Sequence, residues 1–157
     1  MTDQAADEQT LSLRTPPHSI DAEQSVLGGL LLDNRAWESV SEVLEDNDFY
    51  SHKHRNIYRA IKSLVDQEQP VDVVTVSEEL DELGTLNEVG GIAYLGELAD
   101  MTPSTANSGA YGVIVKERSQ QRRLIEAAAD ISLSAYEPEG KNSLDILSDA
   151  EKKIAQI

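Results

Sequence analysis

Pro16-Pro17-His18-Ser19-Ile20-Asp21-Ala22-Glu23-Gln24-Ser25-Val26-Leu27-Gly28-Gly29-Leu30 reads as the start of a helix with its cap in place. The two prolines stop any earlier helix, since proline lacks the amide that a helix interior uses. Ser19 stands where a hydroxyl can accept a first-turn amide. Asp21 and Glu23 follow, where the helix dipole favours negative charge. Val26, Leu27, Leu30 and Leu31 then line one face at helical spacing.

Helices continue outward from this one. Trp37, Val40, Val43 and Leu44 mark a second, and Ser51 can cap a third that carries Ile57, Tyr58, Ile61, Leu64 and Val65. Val71 to Val76 is rich in β-branched residues but reads as a short extended lead into a helix. Thr75-Val76-Ser77-Glu78 has the form of a capping box, and Leu80 and Leu83 precede Gly84 as a stop. Gly90-Gly91 precedes a helix with Ile92, Leu95, Leu98 and Ala99, and Thr102-Pro103-Ser104 closes the head.

From Thr105 to Ala135 only Gly109 and Gly112 would trouble one long helix. Its middle, Lys116 to Arg123, is polar throughout and is expected to face solvent or a partner. Leu124, Ala128, Ile131 and Ala135 form an apolar stripe, Pro138 to Gly140 a turn, and Leu147, Ala150, Ile154 and Ile157 a matching stripe. The expected fold is all-α, a compact multi-helix head followed by an antiparallel helical hairpin. Residues 1–15 are expected to be a disordered acidic tail, 16–104 the head and 105–157 the hairpin. A stripe still running at Ile157 suggests truncation before a linker and a larger domain.

Composition narrows the functions available. The 157 residues are 39% hydrophobic and contain no cysteine, which excludes a disulfide framework and thiolate metal sites. No apolar run approaches the ~20 residues of a membrane span. The net charge is −16, and residues 1–105 hold 21 acidic against 6 basic side chains. Such a head repels phosphate; its acidity either suits a basic protein partner better than DNA or serves only to keep the chain soluble. Position 135 is Ala, so Gly140-Lys141 does not complete the phosphate-binding Gly-x-x-x-x-Gly-Lys loop. No Glu-x-x-His occurs. His18, His52 and His54 read as surface residues, and the acidic runs as solvated helix faces.

Two features point to docking. Lys116, Arg118, Arg122 and Arg123 form the one basic cluster. It is either a protein-docking site or a solvated mid-helix paired with Glu117 and Glu126. Tyr94 is either a buried ring with its hydroxyl on a polar partner or an exposed interface ring. An unpaired two-helix hairpin also exposes apolar surface that meets another chain. Leu124, Ala128, Ile131, Leu147 and Ile154 are the expected self-association residues.

The opening segment, with Asp48-Phe49-Tyr50, Pro70-Val71-Asp72-Val73-Val74-Thr75, Glu88-Val89-Gly90-Gly91-Ile92-Ala93-Tyr94-Leu95 and Ile114-Val115-Lys116-Glu117-Arg118, closely resembles the N-terminal domain of the DnaB-like family of bacterial replicative helicases. The resemblance runs from about Pro16 to Ile157. It implies a cytoplasmic collar domain whose hairpins pair, six forming a trimer of dimers on a hexameric ring, and which recruits the primase C-terminal domain and a helicase loader. It implies a partner site at Asp21, Tyr94, Arg122, Ile125 and Ile131. No catalytic residue or cofactor is expected in this part; ATP, magnesium and DNA would belong to a separate C-terminal motor domain. The alternatives are a stand-alone dimeric helical adaptor and a small carboxylate enzyme. The latter would need inward-facing acids, which the pattern does not supply.

Overall fold

The computed structural model describes residues 14–102 and 104–157. The expected tail lies outside them except for Arg14 and Thr15. The described residues form seven α-helices and no strand: α1 (Ile20–Leu32), α2 (Ala36–Ser41), α3 (His52–Asp66), α4 (Val73–Glu82), α5 (Gly91–Met101), α6 (Ser108–Tyr136) and α7 (Ser143–Ala155). Single 3-10 turns occupy Asp46–Asp48 and Thr105–Asn107.

Helix α1 is the centre of the head. Ser19 caps it as expected, its Oγ accepting the Ala22 amide at 3.2 Å. Val26, Leu27, Leu30 and Leu31 are all buried, and α1 packs against both α5 and α6. The Gly28-Gly29 pair permits this double contact. A Cβ at position 28 would overlap the Leu98 carbonyl and the Thr102 hydroxyl of the α5 end, and one at 29 the Ser108 hydroxyl that begins α6. Phe49, Ile57, Tyr58, Ile61, Val76, Leu80, Val89, Leu95 and Leu98 complete the core, and Tyr58 donates its hydroxyl to the Leu44 carbonyl at 2.8 Å. Burial of this apolar surface drives the assembly.

Four local expectations need correction. The capping box of α4 begins at Asp72, not Thr75. Asp72 accepts the Thr75 amide at 2.8 Å while the Thr75 hydroxyl accepts the Asp72 amide at 2.9 Å, so the helix starts at Val73. Ser51 sits at the N-cap of α3 without a side-chain capping bond. Helix α7 ends at Ala155, with Gln156 as its C-cap. The polar run Lys116–Arg123 is divided: Lys116, Ser119, Arg122 and Arg123 face the head, with Ser119 only 2% exposed, while Glu117, Gln120 and Gln121 are exposed as expected.

The long helix serves both parts. Its early residues Ser108, Gly112 and Val115 are buried in the head, and its far half pairs with α7. The turn between them uses Glu139 and Gly140, both at positive φ, closed by the Lys141 amide on the Pro138 carbonyl at 3.0 Å. Asn142 and Asp145 cap α7 reciprocally. The seam is narrow: Ala127 is buried, and Ile131, Ile146, Ala150 and Ile157 are half-buried.

We expect Gly28→Ala to cost roughly 1–3 kcal/mol by overpacking the α1–α5 contact. Gly96→Ala, where a Cβ meets nothing within 4 Å, should be neutral or gain a few tenths of a kcal/mol from helix propensity. Urea denaturation of both variants checks the contrast.

Candidate docking site at the head–hairpin junction

The basic cluster of α6 closes on one buried acid. Asp48 is 0% exposed at the end of its 3-10 turn. Its Oδ2 accepts the Glu45 amide at 2.8 Å, and its Oδ1 accepts the Ser119 hydroxyl at 2.7 Å and Arg123 Nη2 at 2.9 Å. Lys116 Nζ lies 3.3 Å from Oδ2. A buried carboxylate is costly unless paired and hydrogen-bonded, and here main-chain, hydroxyl and cationic donors all meet it. Lys116, Ser119 and Arg123 are spaced by three and four, so one helical face carries them.

Arg122 runs alongside. It donates from Nη2 to the Asp48 carbonyl at 2.7 Å and from Nη1 to the Pro17 carbonyl at 2.8 Å. Burial lowers its pKa below the usual guanidinium value, while the nearby Glu23 and Asp48 carboxylates act the other way. A solvated mid-helix paired with Glu117 and Glu126 does not describe this cluster. Lys116, Arg122 and Arg123 are bound to the head within the chain, and Arg118 alone approaches Glu117, at 3.9 Å. Arg122 is half-buried, not an exposed charge.

Beside this clamp lies a cleft of about 740 Å³ lined by Pro16, Pro17, Phe49, Tyr50, Arg55, Arg122 and Ile125. Arg55 donates to the Phe49 and Tyr50 carbonyls at 3.0 and 2.9 Å. His18 stacks on Tyr50 with ring centroids 4.3 Å apart, and the Arg122 guanidinium lies 5.5 Å from the same ring. The cleft therefore offers an apolar and aromatic floor with edges that carry Arg55 and Arg122 and also the Glu126 carboxylate, a composition that suits protein contact.

A second polar chain crosses the head beneath it. Glu23 accepts the Tyr50 and Ser51 amides at 2.9 and 3.2 Å and contacts His54 Nδ1 at 2.9 Å. His54 Nε2 lies 2.6 Å from the Tyr94 hydroxyl. His54 is 0% exposed, which overturns its reading as a surface residue: the N-terminal turn of α3 points it inward, where Glu23 pairs with it. Glu23 likewise shows that not every acid faces outward. Among the described residues no group of three or more potential ligands is placed to hold a metal ion.

The expected partner residues fall in three places. Arg122 and Ile125 share the cleft, with Ile125 exposed. Asp21 is exposed on α1 and lines a shallow depression with Gln24, whose Nε2 lies 3.4 Å from the half-buried Tyr94 hydroxyl. Ile131 sits apart, half-buried in the hairpin seam. Of the expected self-association residues, Leu124, Ala128, Leu147 and Ile154 are exposed. Asp48, Glu23, His54 and Ser119 escaped the sequence reading. The spacing of Lys116, Ser119 and Arg123 was the one available signal, because it marks a polar helix face aimed at a single acceptor.

The DnaB-like helicase N-terminal domain family matches residues 15–117. The replicative DNA helicase DnaB of Buchnera aphidicola is 45% identical over 96% of this chain and 33% of its own length. The DnaB of Geobacillus stearothermophilus is 43% identical over 95% of this chain and 33% of its own. The chain thus spans about a third of the length of these curated relatives. Among solved structures, the N-terminal domain of DnaB helicase from Mycobacterium tuberculosis matches with a TM-score of 0.87 and 40% identity, over 91% of this chain and 100% of that one. A DnaB-like replicative helicase, described with its interactions with primase, matches with a TM-score of 0.73 and 28% identity, over 88% of this chain and 31% of that one.

Asp48→Ala should destabilise the chain by about 3 kcal/mol, since it strands donors gathered on one buried acid. The cost stays moderate because the Lys116 and Arg123 side chains are 29% and 34% exposed and recover hydration. Thermal unfolding measures it, and a change within experimental error would show that the clamp contributes nothing.

Proposed function

This chain belongs to the DnaB-like helicase N-terminal domain family, and on that premise we propose that it acts as the collar of a hexameric replicative helicase. Residues 16–104 are the head and 105–157 the hairpin. The collar joins subunits through its hairpins and presents a docking face to primase and to a helicase loader. ATP, magnesium and DNA are handled by a motor domain in the remaining two thirds of the relatives' length. These 157 residues carry no motor activity themselves. The protein works in the cytoplasm; among the described residues no helix is long and apolar enough to cross a membrane.

One observation carries the assembly reading. Leu124, Leu144, Leu147 and Ile154 are each more than half exposed on two helices that already pair with one another. A paired hairpin that still leaves this much apolar surface uncovered is suited to a second hairpin. The stand-alone adaptor is disfavoured, since the matched relatives are helicases of which the chain covers a third. Primase contact is supported by the similarity to a helicase described with primase. It is also supported by the aromatic, cationic and apolar mix around Tyr50, Arg122 and Ile125.

Ile154→Asp should weaken self-association at least ~10-fold, because the interface would then bury a carboxylate without a counter-charge. Ile154 is the cleaner probe; Ile131→Asp would also disturb the seam within one hairpin. Sedimentation at micromolar concentration reads the shift, and a wild-type chain that stays monomeric at high concentration counts against the hairpin interface.

Titration of the cognate primase C-terminal domain tests the docking face. Tyr94→Ala and Ile125→Ala should each weaken binding by about 2 kcal/mol, roughly thirtyfold, if both are hot spots. A chain starting at Pro16 should bind as wild type. Arg122→Glu is a poor test because it also breaks the bonds to Asp48 and Pro17. Loss of binding on removing the tail, with both point variants intact, would place the site elsewhere.

A further inference from the structure

Tyr94 is the one expected contact residue whose side chain bonds to a fully buried side chain. Its ring is pinned at three points. Gly90 lies against its base, where an added Cβ would come within 2.9 Å of Tyr94 Cβ. Lys53 Nζ stands 3.9 Å from the ring centroid. At the tip, His54 Nε2 meets the hydroxyl at 2.6 Å. His54 is fully buried and so cannot itself touch a partner.

The protons on this chain can be counted from its acceptors. Glu23 receives two main-chain amides, and its Oε1 also faces His54 Nδ1 at 2.9 Å. A carboxylate in that position is an acceptor, so Nδ1 carries a proton. Gln24 Nε2 already points at the phenol oxygen, at 3.4 Å. The phenol proton therefore has His54 Nε2 as its nearest acceptor. Both ring nitrogens and the phenol are then satisfied, with the phenol donating inward and accepting from Gln24.

We propose that His54 is a positioning residue for the docking face: Glu23 fixes its Nδ1–H tautomer, and its Nε2 accepts the Tyr94 hydroxyl and holds the ring in the orientation a partner reads. This rests on the reading of Tyr94 as part of the primase-docking face. A buried polar chain is an expensive way to join three helices, because an apolar residue would fill the same space without the risk of an unsatisfied group. The orientation of Tyr94 is what the polar chain adds.

Two substitutions separate the two bonds of the imidazole. His54→Asn keeps a donor near Glu23 and removes the acceptor for Tyr94. His54→Gln keeps an acceptor that reaches Tyr94 and removes the donor for Glu23. Both will lower the unfolding temperature, so affinity is measured on folded protein at low temperature, by titration with the primase C-terminal domain. His54→Asn should weaken binding roughly fivefold, the equivalent of one hydrogen bond. It should have no further effect in a Tyr94→Phe background, while His54→Gln should stay within about twofold of wild type, below the loss of a typical hydrogen bond. Nitrogen NMR of the imidazole should show a slowly exchanging Nδ1 proton and a bare Nε2. Full affinity in His54→Asn, equal losses in the two variants, or a protonated Nε2 would overturn the proposal. If Tyr94→Ala leaves binding unchanged, the docking reading fails and the positioning role falls with it. If Tyr94→Ala weakens binding and His54→Asn does not, the docking reading survives and only this proposal fails.

Discussion

Asp48 is the point on which the relation of head to hairpin depends. A buried carboxylate must be met by donors or it destabilises the fold, and its donors here come from two separated stretches of chain. Glu45 supplies an amide from the same turn. Lys116, Ser119 and Arg123 supply the remainder from one face of α6. Arg122 adds a bond to the main chain of the same residue and ties in Pro17, just ahead of α1. The long helix is therefore registered against the head by directional contacts. Apolar packing alone would tolerate sliding, since it carries little angular information.

The charge distribution follows from this. The head is acidic overall, yet cations collect at the junction. Arg55, Arg122 and Ile125 line a cleft whose floor is Phe49 and Tyr50. These cations first satisfy the fold: Arg55 holds the carbonyls that lead into α3, and Arg122 holds the entry to α1. Any docking role is added to a structural one, so simple charge reversal there confounds stability with binding.

Most of the helical order was legible because it rests on apolar periodicity and end signals, which are local. Val26, Leu27, Leu30 and Leu31 declared α1, Gly84 stopped α4 and Gly140 turned the hairpin. The site was much less legible. Nothing near Glu23 in sequence announces His54, 31 residues away, or Tyr94, 40 residues further on. Polar pairing across such distances has no periodic signature. Within the run Lys116–Arg123 the cations that meet Asp48 were indistinguishable from the exposed residues beside them, because long charged side chains look alike whether they meet water or a buried acid. The hairpin stripes were right in part: Ile131, Ala150 and Ile157 turn into the seam, while Leu124, Ala128, Ala135, Leu147 and Ile154 lie outside it.

The length of α6 gives the clamp a mechanical meaning. Its 29 residues span ~44 Å, and the stretch beyond Arg123 is a cantilever roughly 20 Å long. A cantilever converts angle at its base into displacement at its tip, so a tilt of about 5° at Asp48 would move the Pro138 turn by nearly 2 Å over that ~20 Å reach. That is enough to misalign side chains across an interface packed at contact distance. The stiffness of one buried ion cluster thus sets how precisely the tip of the hairpin is aimed relative to the head.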